Sequence, residues 1–305
     1  MTIAIIGAGA MGCIYATYLC EHNDVLLVDV VKEHVDAING KGLVFEHLDG
    51  SVKTYTNLRA TMDTSGYDPV DLVILLTKGY QSAQALEANK SLIGPDTTVL
   101  SLQNGYGNAD EIVKYVPEEQ IVLGTSGGGA IVAGPGHVLH RGQGGTHIGG
   151  MGKDQSRAEA VKRVMDEGGV PEVELVPNVL ELVWSKLFVN VGINAICALI
   201  NDTNQAIANN KFANEASYAL VKEAVEVANA VGMKFEFEEV LKNVIDIALV
   251  TGPNICSMLA DCKHKRRTEV DRINGAIVSE AAKVGRSAPL NALMVDLIHA
   301  KELLY

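Results

Sequence analysis

The chain has 305 residues, of which 48% are hydrophobic and 20% are charged; this length predicts about two domains, and the composition excludes an intrinsically disordered protein. The formal net charge of −12 argues against a nucleic-acid partner, because such binding depends on clustered lysine and arginine that neutralise phosphates. Five cysteines without a C-x-x-C spacing exclude a disulfide framework and favour a reducing, cytoplasmic location.

The amino-terminal part of the chain has the pattern of a parallel α/β sheet. The apolar run Thr2–Ile6 lacks the basic flank of a signal peptide and leads straight into glycines, so it is interpreted as a buried first strand. Further short apolar runs separated by helical segments predict strands at 25–29, 72–76, 98–101 and 121–125. Segment 134–150 has two strand-like runs around a glycine-rich turn and predicts an antiparallel hairpin at one edge of the sheet.

The remainder of the chain is typical of an all-helical domain. Helices are predicted at 178–200, 211–231, 236–250, 255–284 and 289–304. The predicted fold is α/β, with an N-terminal Rossmann-type parallel sheet domain (1–176) followed by an all-helical C-terminal domain (177–305). The apolar helices also favour a homodimer.

A glycine-rich turn follows the first predicted strand and predicts dinucleotide binding. Glycine at its first position permits a tight turn, at its second it lets the backbone approach a pyrophosphate, and at its third it allows close helix packing. The N-terminus of the next helix supplies N–H groups to the anion. The residues of this turn are Gly7, Ala8, Gly9, Ala10, Met11 and Gly12.

Three residues bear on the choice and placement of the dinucleotide. Asp29, at the end of the second predicted strand, favours NAD because a carboxylate there accepts the ribose hydroxyls and repels a 2′-phosphate. Lys32 keeps NADP as the alternative, since it is close enough in sequence to pair with that phosphate. Lys78 follows the third strand, at the sheet edge where such folds bind ligands.

Two other segments carry candidate polar groups. Asn104 lies in a Gln-Asn-Gly turn after the fourth strand, and a simple turn-forming role is the alternative for it. In the apolar stretch 184–201, Lys186, Asn190 and Asn194 recur every four residues, which places them on one helix face. A lysine within this stretch disfavours a membrane span. The histidines of segment 134–150 lack acidic or cysteine neighbours, so no metal site is predicted.

With these motifs identified, the sequence resembles the ketopantoate reductase family over nearly its whole length. The resemblance lies in "GAGAMG", the Thr77-Lys78 pair, the turn at Asn104, "WSKLFVNVGIN" and "NICSMLADCKHKRRTEVDRING". It implies a Rossmann domain followed by a helical domain, with a 2-keto acid bound between them and reduced to pantoate by a nicotinamide cofactor. Asp29 is followed by Val30, where many members have a basic residue for the NADP phosphate, and this departure favours NAD.

The resemblance also implies a role for each matching residue. Lys186 matches the family's catalytic lysine and Glu269 its substrate-contacting glutamate. Lys78 and Asn104 match residues that reach the cofactor and the reacting centre. The matching substrate-binding residues are Asn190, Asn194, Asn254 and Ser257. Open alternatives are interhelical hydrogen bonds for the asparagines, a solvated head group for Lys186, and an ion pair of Glu269 with Arg266 or Arg272.

Chemical reasoning on Lys186 agrees with the implied role. Ketone reduction builds negative charge on oxygen, and a lysine desolvated by apolar neighbours donates a proton more readily near neutral pH. Three functions remain open: ketopantoate reduction, an NAD-dependent D-2-hydroxyacid dehydrogenase of the same family, and a non-catalytic dinucleotide sensor. Each has a small-molecule ligand and no nucleic-acid or membrane partner.

Overall fold

The computed structural model describes all residues, Met1–Tyr305. The strands are β1 (Thr2–Ile6), β2 (Asp24–Val28), β3 (Leu43–Glu46), β4 (Val52–Tyr55), β5 (Arg59–Thr61), β6 (Leu72–Leu75), β7 (Thr98–Ser101), β8 (Ile121–Ser126), β9 (Gly129–Gly134), β10 (His137–Gly142), β11 (Thr146–Gly150) and β12 (Val173–Leu175). The helices are α1 (Ala10–Leu19), α2 (Lys32–Lys41), α3 (Ser82–Ala88), α4 (Ala109–Ile112), α5 (Ser156–Glu167), α6 (Val179–Ile200), α7 (Ala206–Asn209), α8 (Lys211–Ala230), α9 (Phe237–Val250), α10 (Ser257–Lys263), α11 (Asn274–Lys283) and α12 (Pro289–Glu302).

The chain forms two compact units. The sheet unit comprises 1–103 and 108–182, and the helical unit comprises 104–107 and 183–305. The contact boundary lies slightly after the predicted one at 176/177, because Val179, Leu180 and Leu182 in the first turns of α6 pack into a core of the sheet unit. The short segment 104–107 belongs by its contacts to the helical unit, which the sequence pattern does not indicate.

The sheet unit is built on an eight-stranded sheet in the order β12-β11-β8-β7-β6-β1-β2-β5. The five strands predicted from apolar runs are confirmed within one residue at each end and pair in parallel. Successive side chains of β1 enter opposite cores: Ile3 and Ile5 lie on one face, and Ala4 and Ile6 on the other. Burial on both faces explains why these strands are almost continuously apolar.

The predicted hairpin over 134–150 is wrong. Strand β10 pairs with β9 and β3 in a separate four-stranded sheet, β4-β3-β10-β9, whereas β11 pairs antiparallel with β8 in the large sheet. The tight turn that makes a hairpin is at Pro135-Gly136, between β9 and β10, and Gly136 has a positive φ of 66°. The glycine-rich segment after β10 instead carries the chain from one sheet to the other.

Helix α6 contributes buried residues from Trp184 to Ala198 to the core of the helical unit. The Asn178 side chain accepts a hydrogen bond from Glu181 N at its start, and Asn201 ends the helix in the left-handed conformation with φ 56°. The helix is long and apolar enough to cross a bilayer, but 61% of its most apolar window is buried within the protein. Trp184 and Phe188 are among its fully buried side chains, so core packing accounts for its apolar composition.

The predicted helix over 255–284 is also wrong. Helix α10 ends at Lys263, a 3₁₀ turn follows at Val270–Arg272, and α11 begins at Asn274. Lys265 adopts φ 53°, and Arg266 N donates to Asp261 O at 2.9 Å, which closes a helix C-terminus. The closely spaced basic residues therefore lie at a helix end and in the turn after it, where positive charge complements the helix dipole; they are Lys263, Lys265, Arg266 and Arg267.

Candidate functional site

The glycine turn after β1 has the geometry that dinucleotide binding requires. Gly7 has φ 101°, and a Cβ there would lie 2.7 Å from Thr77 N, so only glycine fits. A Cβ on Gly12 would collide with the carbonyl oxygen of Gly7. Gly9, in contrast, has no atom within 4 Å of its Cβ position, which leaves its backbone open to an approaching ligand. The ten-residue helix α1 follows directly, and Gly9 gives it no side-chain cap.

A buried hydrogen-bonded chain supports this turn from behind. Gly136 N donates to Nδ1 of His34 at 3.0 Å, and Nε2 of His34 lies 3.6 Å from the Cys13 thiol. The thiol donates to the carbonyl of Ala8 at 3.2 Å. Burial raises the pKa of Cys13 to about 12, so the thiol keeps its proton for this bond. The sequence pattern gives no signal for this chain, because residues from three separate elements form it.

Asp29 lies directly after β2, beside the glycine turn. Gly7 N and Ala8 N both donate to the Val28 carbonyl, at 2.9 and 3.2 Å, which fixes the turn against the end of β2. Oδ1 of Asp29 accepts from Val31 N at 3.0 Å, and the side chain is half-buried. The ammonium of Lys32 forms an exposed ion pair with Asp36.

The ends of β6 and β7 are joined through Gln103. Its Nε2 donates to the carbonyl of Thr77 and to Oγ of Ser82, each at 2.8 Å. This arrangement fixes the backbone on the amino side of Lys78, which is half-buried and begins a short 3₁₀ turn. The predicted cofactor residues Gly7, Asp29 and Lys78 therefore lie at the carboxyl ends of three adjacent strands, β1, β2 and β6.

Lys186 and Glu269 form an electrostatically coupled pair in the helical unit. Desolvation lowers the pKa of Lys186 to about 8, and the negative charge of Glu269 opposes that shift. Glu269 is buried, and it lies immediately before the 3₁₀ turn rather than on the helix that carries Ser257. Arg266 was one of the two possible ion-pair partners of Glu269. It forms an ion pair with Asp261, in which Nη2 and Oδ1 lie 3.0 Å apart.

Asn190 and Asn194 lie on the Lys186 face of α6, one and two turns further along. Asn194 is buried and Asn190 is half-buried. The carbonyl of Asn194 accepts a hydrogen bond from the Cys256 thiol at 3.5 Å, which connects α6 to the start of α10. Gly192, between the two asparagines, would bring a Cβ within 2.7 Å of Val244, so α6 packs closely against α9 on another face.

Asn254 lies in the loop that follows α9, and Ser257 is the first residue of α10; both are exposed. The carbonyl of Asn254 accepts from Asn204 N at 3.0 Å, and the Asn204 side chain donates to Thr251 at 2.9 Å. The backbone of this loop is thus fixed while its polar side chains remain accessible.

Asn104 belongs to the segment that packs against the 3₁₀ turn. Tyr106 N donates to the Arg272 carbonyl at 2.9 Å, and Arg272 Nη1 donates to the Gly107 carbonyl at 3.3 Å. Gly105 has φ 84°, and a Cβ there would collide with the Arg272 carbonyl. Within the helical unit, the segment that contains Asn104 therefore packs against the turn next to Glu269, and Glu269 interacts electrostatically with Lys186. No group of three or more His, Cys, Asp or Glu side chains has an arrangement that could hold a metal ion.

Comparisons with known proteins find one family and several relatives that match almost the whole chain. The profile of the family described as ketopantoate reductase PanE/ApbA matches residues 3–153, and the profile of its C-terminal part matches 178–302. The 2-dehydropantoate 2-reductases of Streptococcus pyogenes and Pyrococcus horikoshii are 34% and 36% identical, each over 99% of this chain and 98% of the relative.

Two solved structures are similar over 100% of this chain and 99% of their own. A D-mandelate dehydrogenase with NADH and anilino(oxo)acetate has a TM-score of 0.94 at 32% identity. A PanE/ApbA family ketopantoate reductase from Ralstonia eutropha JMP134 has a TM-score of 0.89 at 29% identity.

Proposed function

Because the chain belongs to the ketopantoate reductase family, we propose that it reduces 2-dehydropantoate to D-pantoate, the coenzyme A precursor, with a nicotinamide dinucleotide. The observation that carries this proposal is Lys186, whose pKa is lowered to about 8 beside the buried Glu269. A lysine with such a pKa is suited to proton transfer near neutral pH.

Lys186 is the proposed proton donor. When a ketone is reduced, negative charge develops on the carbonyl oxygen and needs a nearby cation or acid. The Lys186 ammonium supplies both the charge and the proton, and Glu269 helps to keep it protonated in the ground state. The bound dinucleotide supplies the hydride.

Neutral and acidic side chains hold the rest of the substrate in this proposal. The amides of Asn190 and Asn194 offer donors to a carboxylate or hydroxyl without adding a second cation to compete with Lys186. Glu269 accepts from a substrate hydroxyl. Asn254, Ser257 and Asn104 complete the set of proposed polar contacts.

The residues at the glycine turn fit a dinucleotide. The open surface at Gly9 and the N-terminus of α1 would receive the pyrophosphate. Asp29 keeps its carboxylate half-exposed for ribose hydroxyls, and Lys32 is engaged with Asp36. These two observations favour NAD over NADP. Lys78 is the proposed contact from the end of β6.

A second candidate function is an NAD-dependent D-2-hydroxyacid dehydrogenase acting on other branched or aromatic 2-keto acids. Asp29 followed by the exposed Val30 favours it, as does the similarity to the D-mandelate dehydrogenase structure with NADH. The two candidates share the fold and the proton donor, and they differ in the substrate. A non-catalytic dinucleotide sensor is the third candidate.

Steady-state kinetics separate these candidates. Reduction of 2-dehydropantoate, 2-ketoisovalerate, 2-ketoisocaproate and phenylglyoxylate is measured with NADH and with NADPH. We expect the highest kcat/KM with 2-dehydropantoate, and a higher value for another keto acid would establish the second candidate. If the protein reduces none of these keto acids, both enzymatic candidates are contradicted and the non-catalytic dinucleotide sensor remains.

We also propose a homodimer located in the cytoplasm. All five cysteines are free thiols, which suits a reducing compartment. Leu290, Leu293 and Leu297 form an exposed apolar stripe along α12, the pattern of a helix that packs against a second copy. Size-exclusion chromatography with light scattering tests this, and a monomer at micromolar concentration would contradict it.

A further inference from the structure

The turn that carries Glu269 is held from the far end of the chain. Thr268 N donates to Oε1 of Glu302, near the end of α12, at 2.7 Å. Thr268 is fully buried and Glu269 is nearly so. The last turn of α12 therefore contacts the residue immediately before the proposed substrate-contacting glutamate.

An imidazole links this contact to the 3₁₀ turn beyond Glu269. Nδ1 of His299 lies 2.9 Å from Oε2 of Glu302, and Nε2 lies 2.8 Å from Oδ1 of Asp271. Ionised carboxylates only accept hydrogen bonds, so both ring nitrogens must carry protons to satisfy both contacts. With both carboxylates ionised, an imidazolium at His299 satisfies both contacts.

The charges around His299 favour this protonated form. Glu302 and then Asp271 raise the pKa of His299. Although desolvation raises the pKa of both carboxyls, bonds from Thr268 and His299 hold that of Glu302 below its usual range, and bonds from His299 and Arg267 do the same for Asp271. Asp271 is also paired with Arg267 at 3.0 Å. We call this hydrogen-bonded group the α12 clamp; it consists of Thr268, Asp271, His299 and Glu302.

The opposite side of the same turn faces the segment that contains Asn104. Tyr106 N donates to the Arg272 carbonyl, and Gly105 packs directly on that carbonyl. A displacement of the 3₁₀ turn would therefore disturb Asn104 as well as Glu269. Both residues belong to the proposed substrate set.

We propose that His299 is a positioning residue whose imidazolium, through the α12 clamp, fixes Glu269 and Asn104 in the orientation that the substrate requires. This inference rests on the proposed function for the roles of those two residues. The clamp itself, with its four hydrogen-bonded groups, does not depend on that assignment.

The test compares the full-length protein with the variants His299→Gln and His299→Arg. Glutamine lacks the charge, and its two N–H donors share one nitrogen, so it cannot place donors where the two separate ring nitrogens of His299 stand; arginine offers donors on separate nitrogens with a permanent charge. Amide hydrogen exchange of the peptide that spans residues 267–273 is measured for all three proteins at one pH. Values of kcat, keto-acid KM and dinucleotide KM are measured in parallel.

We expect His299→Gln to accelerate exchange in this peptide and to lower kcat about tenfold, equivalent to ~1.4 kcal/mol. The dinucleotide KM should not change, and His299→Arg should restore both exchange protection and kcat. A general loss of stability would instead accelerate exchange throughout the chain, and His299→Arg would not selectively restore protection in the peptide 267–273.

Unchanged exchange in His299→Gln would overturn the clamp. Faster exchange with unchanged kcat would overturn its positioning role. If the wild-type protein reduces no keto acid, the proposed function fails, and the exchange result alone still decides whether the clamp exists.

Discussion

Lys186 and Glu269 act on each other inside the helical unit: desolvation lowers the pKa of the lysine to about 8, and the carboxylate limits that shift. The pair lies on two elements, α6 and the turn before Val270–Arg272, that are far apart in sequence. The lysine can lose its proton near neutral pH because its ammonium group is desolvated and only one negative charge compensates for that desolvation.

The first prediction concerns the loss of the proton donor. Lys186→Ala should lower kcat for keto-acid reduction by roughly 10²–10⁴-fold, the usual contribution of a positioned acid, and leave the dinucleotide KM nearly unchanged. Lys242→Ala is the matched control, because Lys242 is a highly exposed lysine paired with Asp246. Comparable losses in kcat and dinucleotide affinity for Lys186→Ala would contradict the assignment.

The second prediction concerns pH. Reduction needs the ammonium form of Lys186, so its rate should fall as the pH rises through about 8, whereas oxidation of the hydroxy acid should rise in the same window. Glu269→Gln removes the charge that raises this pKa, so the midpoint should move to lower pH. The measurement is kcat/KM against pH in both directions, and an unmoved midpoint in Glu269→Gln would count against the coupling.

How far the sequence predicts this fold depends on whether the determining signal is local. The parallel strands were predictable because burial on both faces imposes continuous apolar runs such as those of β1 and β6. The break after Lys263 was missed because a lysine, not a glycine, takes the left-handed position at Lys265. The α-helical periodicity continues across that break.

The same distinction applies to the candidate site. The stripe of Lys186, Asn190 and Asn194 is visible in the sequence because all three lie on one helix. The groups that support the site are not, since His34 meets Cys13 across 21 positions and His299 meets Asp271 across 28. Contacts of that kind are determined by tertiary packing and produce no periodic pattern in the sequence.

The third prediction separates two glycines of the turn after β1. Gly9→Ala places a Cβ in open space, so the protein should keep its melting temperature but raise the dinucleotide KM by about tenfold, ~1.4 kcal/mol. Gly12→Ala forces a Cβ into the Gly7 carbonyl and should destabilise the fold by about 1–3 kcal/mol or more. Thermal melts and initial rates measure both effects. Equal destabilisation by the two variants would refute the separate roles.

The fourth prediction concerns the choice of dinucleotide. Asp29→Ala removes the carboxylate that repels a 2′-phosphate, so the ratio of kcat/KM for NADH to that for NADPH should fall by about tenfold. Lys32→Ala is the companion variant, and it should leave the ratio unchanged because Lys32 is paired with Asp36. An unchanged ratio in Asp29→Ala, or a selective loss of NADPH activity in Lys32→Ala, would reverse the cofactor assignment.

The fifth prediction concerns the buried chain that supports the glycine turn. Cys13→Ala removes the donor to the Ala8 carbonyl, whereas Cys13→Ser keeps a donor of similar size. His34→Leu leaves the Gly136 N–H without an acceptor, an unsatisfied buried group that costs about 1–3 kcal/mol.

We expect Cys13→Ala and His34→Leu to raise the dinucleotide KM, and Cys13→Ser to stay near wild type. With the dinucleotide saturating, the keto-acid KM should be the same in all of them, because none of these groups belongs to the helical unit. If Cys13→Ala binds dinucleotide as tightly as Cys13→Ser, the thiol fills space but does not position Ala8.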